Sequence, residues 1–482
     1  MKKDSDMNDL INDDQEKEGE TMTATRQING PSPEQRDHDK SSGTLPPPME
    51  QDEMTDPDKC FQVMNQRHAL VNAGNKVSIV DERSHDAPIM AKSVFMDLYA
   101  NTSVMVGKRQ KTWAEHWFYH KHRRQFPGGY TFDPSGKASS RKYNLWQGFA
   151  VQPSPSHSCK RFLDHLEGII CNGDEECYEY LLNWLSLLVQ KPQKLPGVAV
   201  CLLSKPGTGK GMTMNYIGQI FGPHYKHLTD KNQLLGRFTG QLMDAVLVFA
   251  DEIHWDGNKS ESGLIKGMIT EKTRMMERKH HDPLEIMNCV HLILASNEKW
   301  AIPADIGDRR FFVLDVSPNR VGDTVYFETI YDEMRNGGPA ALLSFLMKRD
   351  ITLFNPGDFP KTDARVQQQI ESLDSVDKWI LQQLDSGAVS RFCHSEDRSW
   401  PSRVIKKAFY DDYCESFRAN QNRGNPTSLT AFTQSLGRLG VTPTKAKDDT
   451  GQRVPAYRLP DLVTMRKAFD DLLGHSVGWD TT

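Results

Sequence analysis

Val198-Ala199-Val200-Cys201-Leu202-Leu203-Ser204-Lys205-Pro206-Gly207-Thr208-Gly209-Lys210-Gly211-Met212 decides the fold. Six residues, apolar throughout, read as a strand buried on both faces, which is the signature of a parallel sheet covered by helices. A glycine-rich turn follows, and then a helical pattern over Met212–Phe221. Strand, glycine loop and helix in that order build an anion cradle. Glycines allow the backbone to turn its N–H groups inward, the helix N-terminus adds its dipole, and Lys210 reaches the outer phosphates. Gly207, Thr208, Gly209, Lys210, Gly211 and Met212 are therefore the expected triphosphate contacts. The match to GxxxxGK[ST] departs at two places: Ser204 stands where the first glycine belongs, and Gly211 where a magnesium-binding hydroxyl belongs. Thr208, Thr213, or Asp251 with water are the candidates to take over that hydroxyl's role.

Downstream, three further apolar runs carry polar residues at one end. Ala245–Ala250 leads into Asp251-Glu252. At a strand end, Asp251 is placed to help hold hydrated magnesium and Glu252 to polarise an attacking water. The glutamate favours hydrolysis over transfer to a second substrate, which sets aside an unrelated P-loop kinase. Val290–Ala295 leads into Ser296-Asn297, whose amide can hydrogen-bond a lytic water or a γ-phosphate. Asp308-Arg309-Arg310 precedes the run Phe311–Val316. An arginine here can reach a neighbouring subunit's nucleotide, and the sequence does not choose between Arg309 and Arg310.

Between the acidic pair and the asparagine, 274–279 and 284–288 flank His280-His281-Asp282-Pro283 and read as a β-hairpin. Its tip carries Lys279, His280 and His281, which suit phosphates and sugars of DNA. Adjacent histidines point to opposite sides of a strand, so they make a poor metal pair.

The order Gly207-Thr208-Gly209-Lys210, Asp251-Glu252, basic hairpin, Asn297, Arg309-Arg310 resembles the superfamily 3 helicases, compact AAA+ motors that include the papillomavirus and polyomavirus replicative helicases. More narrowly it is similar to the helicase part of phage primase-helicases and of the phage NrS-1-type polymerase family. Asn65-Gln66-Arg67-His68-Ala69, residues 143–149 (YNLWQGF), Phe249-Ala250-Asp251-Glu252 and Asp308-Arg309-Arg310-Phe311-Phe312 fit that family, as does a glycine after the loop lysine. The resemblance implies an AAA+ P-loop core, ATP and Mg2+ as cofactors, a homo-hexameric ring around single-stranded or forked DNA, and unwinding in phage or prophage replication. It implies Lys210, Asp251, Glu252, Asn297, Arg309 and Arg310 as the catalytic set. A related alternative is an ATP-gated initiator or loader that binds DNA without processive unwinding. Priming would come from a separate primase or polymerase, because the 57-residue tail is too short for such a domain.

Composition frames the rest. Residues 1–57 hold fifteen Asp/Glu against six Lys/Arg and read as a disordered acidic tail. The whole chain of 482 residues carries a net charge of −5, so the part after the tail is near +4. Residues 58–155 form a basic mixed α+β region, with fourteen Lys/Arg against seven Asp/Glu up to residue 150. Residues 113–124 (WAEHWFYHKHRR) place His116 and His120 one helical turn apart. That cluster reads as packed helix with a charged face, then as a nucleic-acid surface, and least as a metal site. Residues 156–196 read as a helical collar with patterns over Cys159–Ile170 and 175–190. The P-loop core takes 197–340 and a helical connector 341–400. Residues 401–462 form a small winged-helix-like domain, in whose turn region Lys445, Lys447 and Arg453 could meet a DNA backbone, and 463–482 are a C-terminal tail. Eight cysteines without a CxxC pair read as free thiols of a reducing compartment. No signal-peptide core or membrane-length apolar run occurs, so the expected location is the cytoplasm of a bacterial host.

Overall fold

A computed structural model of the chain describes residues 55–479, apart from 73, 75, 83–88, 238, 253–258, 278–282, 298–307, 390–399, 421–424 and 449. The acidic segment lies outside them except for its last three residues.

The chain first builds a small helix-on-sheet layer. Asp56 caps the helix Pro57–Arg67, accepting from the Asp58 and Lys59 amides, and Pro57 occupies the first turn where no N–H is needed. The helix feeds His68–Asn72, which pairs antiparallel with Val77–Asp81 and parallel with Gln125–Phe126; Ile89–Ala91 completes the four-stranded sheet. The helix Trp113–Phe118 starts in a capping box between Thr112 and Glu115. His116 in this helix and His120 just beyond it pack against the first helix. His116 is 8% exposed with Nε2 2.9 Å from the Pro57 carbonyl, and His120 lies 3.6 Å from the Phe61 ring. No group of three or more metal-binding side chains occurs among the described residues.

The helix Glu175–Gln190, capped by Asp174, buries Leu181, Trp184, Leu185 and Leu188 beneath the central sheet. That sheet has five parallel strands: β1 (Ala199–Leu203), β2 (Tyr225–Leu228), β3 (Leu247–Asp251), β4 (His291–Ser296) and β5 (Phe311–Asp315), in the order β2-β3-β4-β1-β5. Val248, Phe249, Phe312 and Val313 are fully buried, as strands covered on both faces must be. Each such side chain contributes about 1.5–3 kcal/mol of transfer free energy, so the sheet is a stiff platform for whatever its strand ends carry. The chain leaves β1 for the edge strand β2, works back through β3 to β4 on one side of β1, and then crosses to β5 on its other side, which opens a crevice at the carboxyl edge beside β1. Four of the five strands follow apolar runs of the sequence. β2 adds itself at the edge with Tyr225-Lys226-His227-Leu228, a half-exposed stretch without an apolar run.

A second core lies C-terminal to the sheet, around Trp379, Phe409, Tyr413, Phe432 and Tyr457. It joins the helices Ser375–Ser386, Lys406–Ala419, Leu429–Gly437 and Leu462–Leu473 to a three-stranded antiparallel sheet, with Arg453–Arg458 between Arg403–Ile405 and Thr442–Lys447. Two boundaries differ from the sequence reading. The expected connector gives its last helix to this core, where Arg438 holds the buried Asp377 through two contacts of 2.8 Å. The expected tail from 463 begins as a capped helix that buries Met465, Phe469 and Leu473; Asp461 and this three-to-four-residue spacing are its signals. Among the described residues seven cysteines are free and buried, and no helix is long and apolar enough to cross a membrane.

Candidate functional site at the carboxyl edge of the sheet

The parallel register aligns the strand ends. Asp251 of β3 pairs with Ala295 of β4, and Ser296 of β4 with Leu203 of β1. The next residue of each strand therefore emerges at one edge: Glu252, Asn297 and Ser204. The Glu252 amide donates to the Ala295 carbonyl at 3.0 Å, and the Ser204 amide to the Ser296 carbonyl at 3.2 Å, so both exits are pinned to β4.

Gly207 and Gly209 have φ of +83° and +94°. L-residues with a Cβ avoid that region, and the loop needs it twice to curl before the helix Lys210–Phe221. Gly209 is the N-cap and makes no side-chain cap, so the first-turn amides point into the loop. Lys210 opens the helix and is only 8% exposed. Its Nζ donates to Asn297 Oδ1 at 2.6 Å and to Ser204 Oγ at 2.7 Å. The Asn297 amide donates in turn to Glu252 Oε1 at 2.5 Å. Burial lowers the lysine's pKa, against the opposing pull of Asp251 and Glu252. Glu252 itself has φ +53°, a left-handed conformation rare for a non-glycine. Such conformations cost about 1–3 kcal/mol and concentrate at working sites; here it directs the carboxylate back toward Asn297. Asp251 faces the neighbouring strand, with Oδ2 3.6 Å from His227 Nε2.

The loop rests on a relay of side chains of which the sequence reading singles out Thr213 alone, and for a different role. Tyr326 O–H donates to His165 Nδ1 at 3.0 Å, His165 Nε2–H donates to Thr213 Oγ1 at 3.0 Å, and Thr213 O–H donates to the Gly209 carbonyl at 3.0 Å. Thr213 has one proton and gives it to the carbonyl, so the imidazole is fixed in one tautomer. His165 is fully buried, and burial pushes its pKa down to about 4, which keeps it neutral. It ends the helix Lys160–His165, just before a π-helical turn over Leu166–Ile170. Nothing in the spacing of the sequence marks it; only its place in an otherwise apolar helical face hints at a buried partner.

The two threonines considered for the metal hydroxyl are committed elsewhere. Thr208 Oγ1 lies 2.7 Å from Ser204 Oγ, and Thr213 is in the relay above. At Gly211 a Cβ would meet nothing within 4 Å, whereas at Gly209 it would lie 2.7 Å from Phe327 Cε1 and 3.0 Å from His165 Cε1. Gly209→Ala is therefore expected to lose about 2–4 kcal/mol of stability, from steric overpacking and the left-handed φ, and to weaken nucleotide binding at least tenfold. Gly211→Ser is expected to melt within about two degrees of the wild type. Thermal melts and titration with a fluorescent ATP analogue check both; equal behaviour of the two variants would remove this picture of the loop.

Of the arginine pair, Arg310 is tied back. Its amide and Nη1 contact Asp308 Oδ1 at 3.0 and 3.3 Å, while Lys266 Nζ lies 2.9 Å from the other oxygen of that buried carboxylate. Arg309 is exposed. The flanks of the hairpin pair antiparallel, Thr273–Met276 with Leu284–Met287. Its tip with Lys279, His280 and His281 lies outside the described residues.

A five-stranded parallel α/β sheet with a glycine loop leading into a helix at its carboxyl edge is the class that fold and site define. Residues 202–310 match a protein family of unknown function (DUF5906). Over 146 residues, 30% of this chain, the sequence is 34% identical to the DNA primase-polymerase of Nitratiruptor phage NrS-1; the match spans 20% of that protein's length. The fold is similar to solved apo structures of the NrS-1 C-terminal region. One superposes with a TM-score of 0.60 at 17% identity over 84% of this chain and 99% of that one. Another gives 0.59 at 18% identity over 84% and 100%.

Proposed function

We propose that the chain is an ATP-hydrolysing DNA helicase of the superfamily 3, AAA+ type, acting in phage or prophage-type replication. The observation that carries this reading is the joining of Lys210, Asn297 and Glu252 by two short hydrogen bonds, the first at the start of the helix that follows β1 and the other two at the ends of the neighbouring strands β4 and β3. In this reading a phosphate-gripping lysine and a water-activating glutamate share one small volume beside a helix N-terminus.

The residues fit a nucleotide with its magnesium. Positive-φ glycines and the open first turn of the helix suit the phosphates. Gly211 leaves space where a hydroxyl would stand. Mg2+ keeps several waters and takes only one or two carboxylates besides phosphate oxygens, so Asp251 suffices from the protein, and the ion would supply charge neutralisation on those oxygens. Lys210 then exchanges its bonds to Asn297 and Ser204 for phosphate. Asn297, released from the lysine, holds the outermost phosphate or the water. Glu252 accepts the water's proton as it attacks. Arg309, exposed while Arg310 is held by Asp308, is the better candidate to reach a neighbouring subunit's phosphates.

In this reading the chain works as a homo-hexamer on single-stranded or forked DNA in the host cytoplasm, with Lys279, His280 and His281 meeting the strand and a separate primase or polymerase supplying primers. The C-terminal core, with its three-stranded sheet order, suits a winged-helix module. Lys445, Lys447 and Arg453 are exposed there, and Lys447 lies directly opposite Arg453. Like charges placed so repel one another, and a DNA backbone would neutralise them.

A labelled forked duplex tests the function. With ATP and Mg2+ the chain is expected to displace the strand, and without ATP to leave it annealed. Hydrolysis and DNA binding without displacement would instead identify an initiator or loader.

A further inference from the structure

The phosphate loop offers a ligand backbone N–H groups, lysines and small hydroxyls. These read charge, so they do not distinguish a nucleotide from a bare polyphosphate. Discrimination needs a second surface, and the segment between β5 and the helix Thr324–Arg335 supplies one. Pro318–Asp323 forms a tight strap beside the loop, with Val321 N–H bonded to the Pro318 carbonyl at 3.0 Å and Asp323 N–H to the Arg320 carbonyl at 3.1 Å. Its two ends are fixed. The Ser317 amide donates to the Ile169 carbonyl at 2.9 Å, and Asp323 caps the helix by accepting from the Tyr326 amide at 3.0 Å. The Arg320 guanidinium pairs with Asp323 at 2.9 Å and lies 4.6 Å from the Tyr326 ring. Tyr326 is the residue whose hydroxyl starts the relay through His165 to Gly209, so strap and loop are held by one network.

Val321 is the exception on this strap. It is 50% exposed, and its Cγ1 lies 3.5 Å from where a Cβ of Gly207 would be. A branched apolar side chain is thus kept in water at the mouth of an anion site. Water gains nothing there, whereas a heterocyclic base has an apolar face of suitable size.

Resting on the reading of the loop as a nucleotide site, we propose that Val321 is the surface against which the base of a bound nucleoside triphosphate packs, so that the strap selects nucleotides over inorganic polyphosphate. The contact is with a ring face and makes no base-edge hydrogen bond, so it accepts purines and pyrimidines alike.

The test compares ATP with tripolyphosphate on the full chain by calorimetric titration. Val321→Ser should raise the Kd for ATP by about threefold to tenfold, as expected from losing part of one apolar contact, and leave that for tripolyphosphate unchanged. In Val321→Trp the added emission should be quenched by ATP and not by tripolyphosphate. If Val321→Ser weakens both ligands equally, or neither, and the Trp emission ignores ATP, the strap is no base wall and the proposal is overturned. If the wild type binds neither ligand, the phosphate-loop reading itself has failed.

Discussion

Lys210→Ala is expected to reduce ATP turnover by at least about a hundredfold to a thousandfold, the scale seen when one preorganised donor to developing charge is removed. The lysine is nearly buried, and its position costs desolvation that Asp251 and Glu252 only partly offset. Replacing it with alanine removes that cost together with three of its polar contacts, to Ser204 and Asn297. The two effects oppose each other, so the melting temperature stays within about three degrees of the wild type. Phosphate-release assays and thermal melts on the same preparations separate loss of chemistry from loss of fold. Retained hydrolysis in a folded Lys210→Ala protein would mean that the active nucleotide sits elsewhere.

Glu252→Gln has the second large effect, and of a different kind. Glutamine keeps the shape and an amide oxygen able to accept from Asn297, but no longer takes a proton from water. The kcat is expected to fall by about a hundredfold to ten-thousandfold, the range for a general base, while the Kd for ATP moves by less than about threefold. Lys210→Ala, by contrast, damages both binding and turnover. This split between the two variants distinguishes a phosphate ligand from a water activator, and single-turnover hydrolysis with equilibrium binding measures it. If Glu252→Gln binds ATP poorly yet turns over what it binds at the normal rate, the glutamate belongs to the binding site and another group activates water.

The parts of the fold legible in the sequence are those whose physics is local. Val198–Leu203 and Phe311–Val316 announce buried strands because both of their faces are covered, and the structure places β1 and β5 within a residue of those bounds. The glycines of the loop are legible because their φ values are a local necessity. Edge elements are not. β2 and the strand Thr442–Lys447 are half exposed, carry lysines, and look like loops by composition. The supporting network is also silent in sequence. Thr213 stands out as a hydroxyl near the loop, but His165 and Tyr326 come from distant segments, and only folding brings the three residues' polar atoms within 3.0 Å. The alignment of Glu252 with Asn297 occupies a middle ground. Each stands at the end of an apolar run, but that they touch follows from β3 and β4 being neighbours, which the run lengths do not say. The choice between Arg309 and Arg310 likewise depends on Asp308 folding back onto the second of them.

Phosphate release from ATP by the purified wild-type chain, with and without Mg2+, tests most directly whether Lys210, Asn297 and Glu252 serve one nucleotide. The expected result is magnesium-dependent hydrolysis with one ATP bound per chain. A chain that binds no ATP, or that releases phosphate at the same rate after Lys210 and Glu252 are both replaced, would contradict the account.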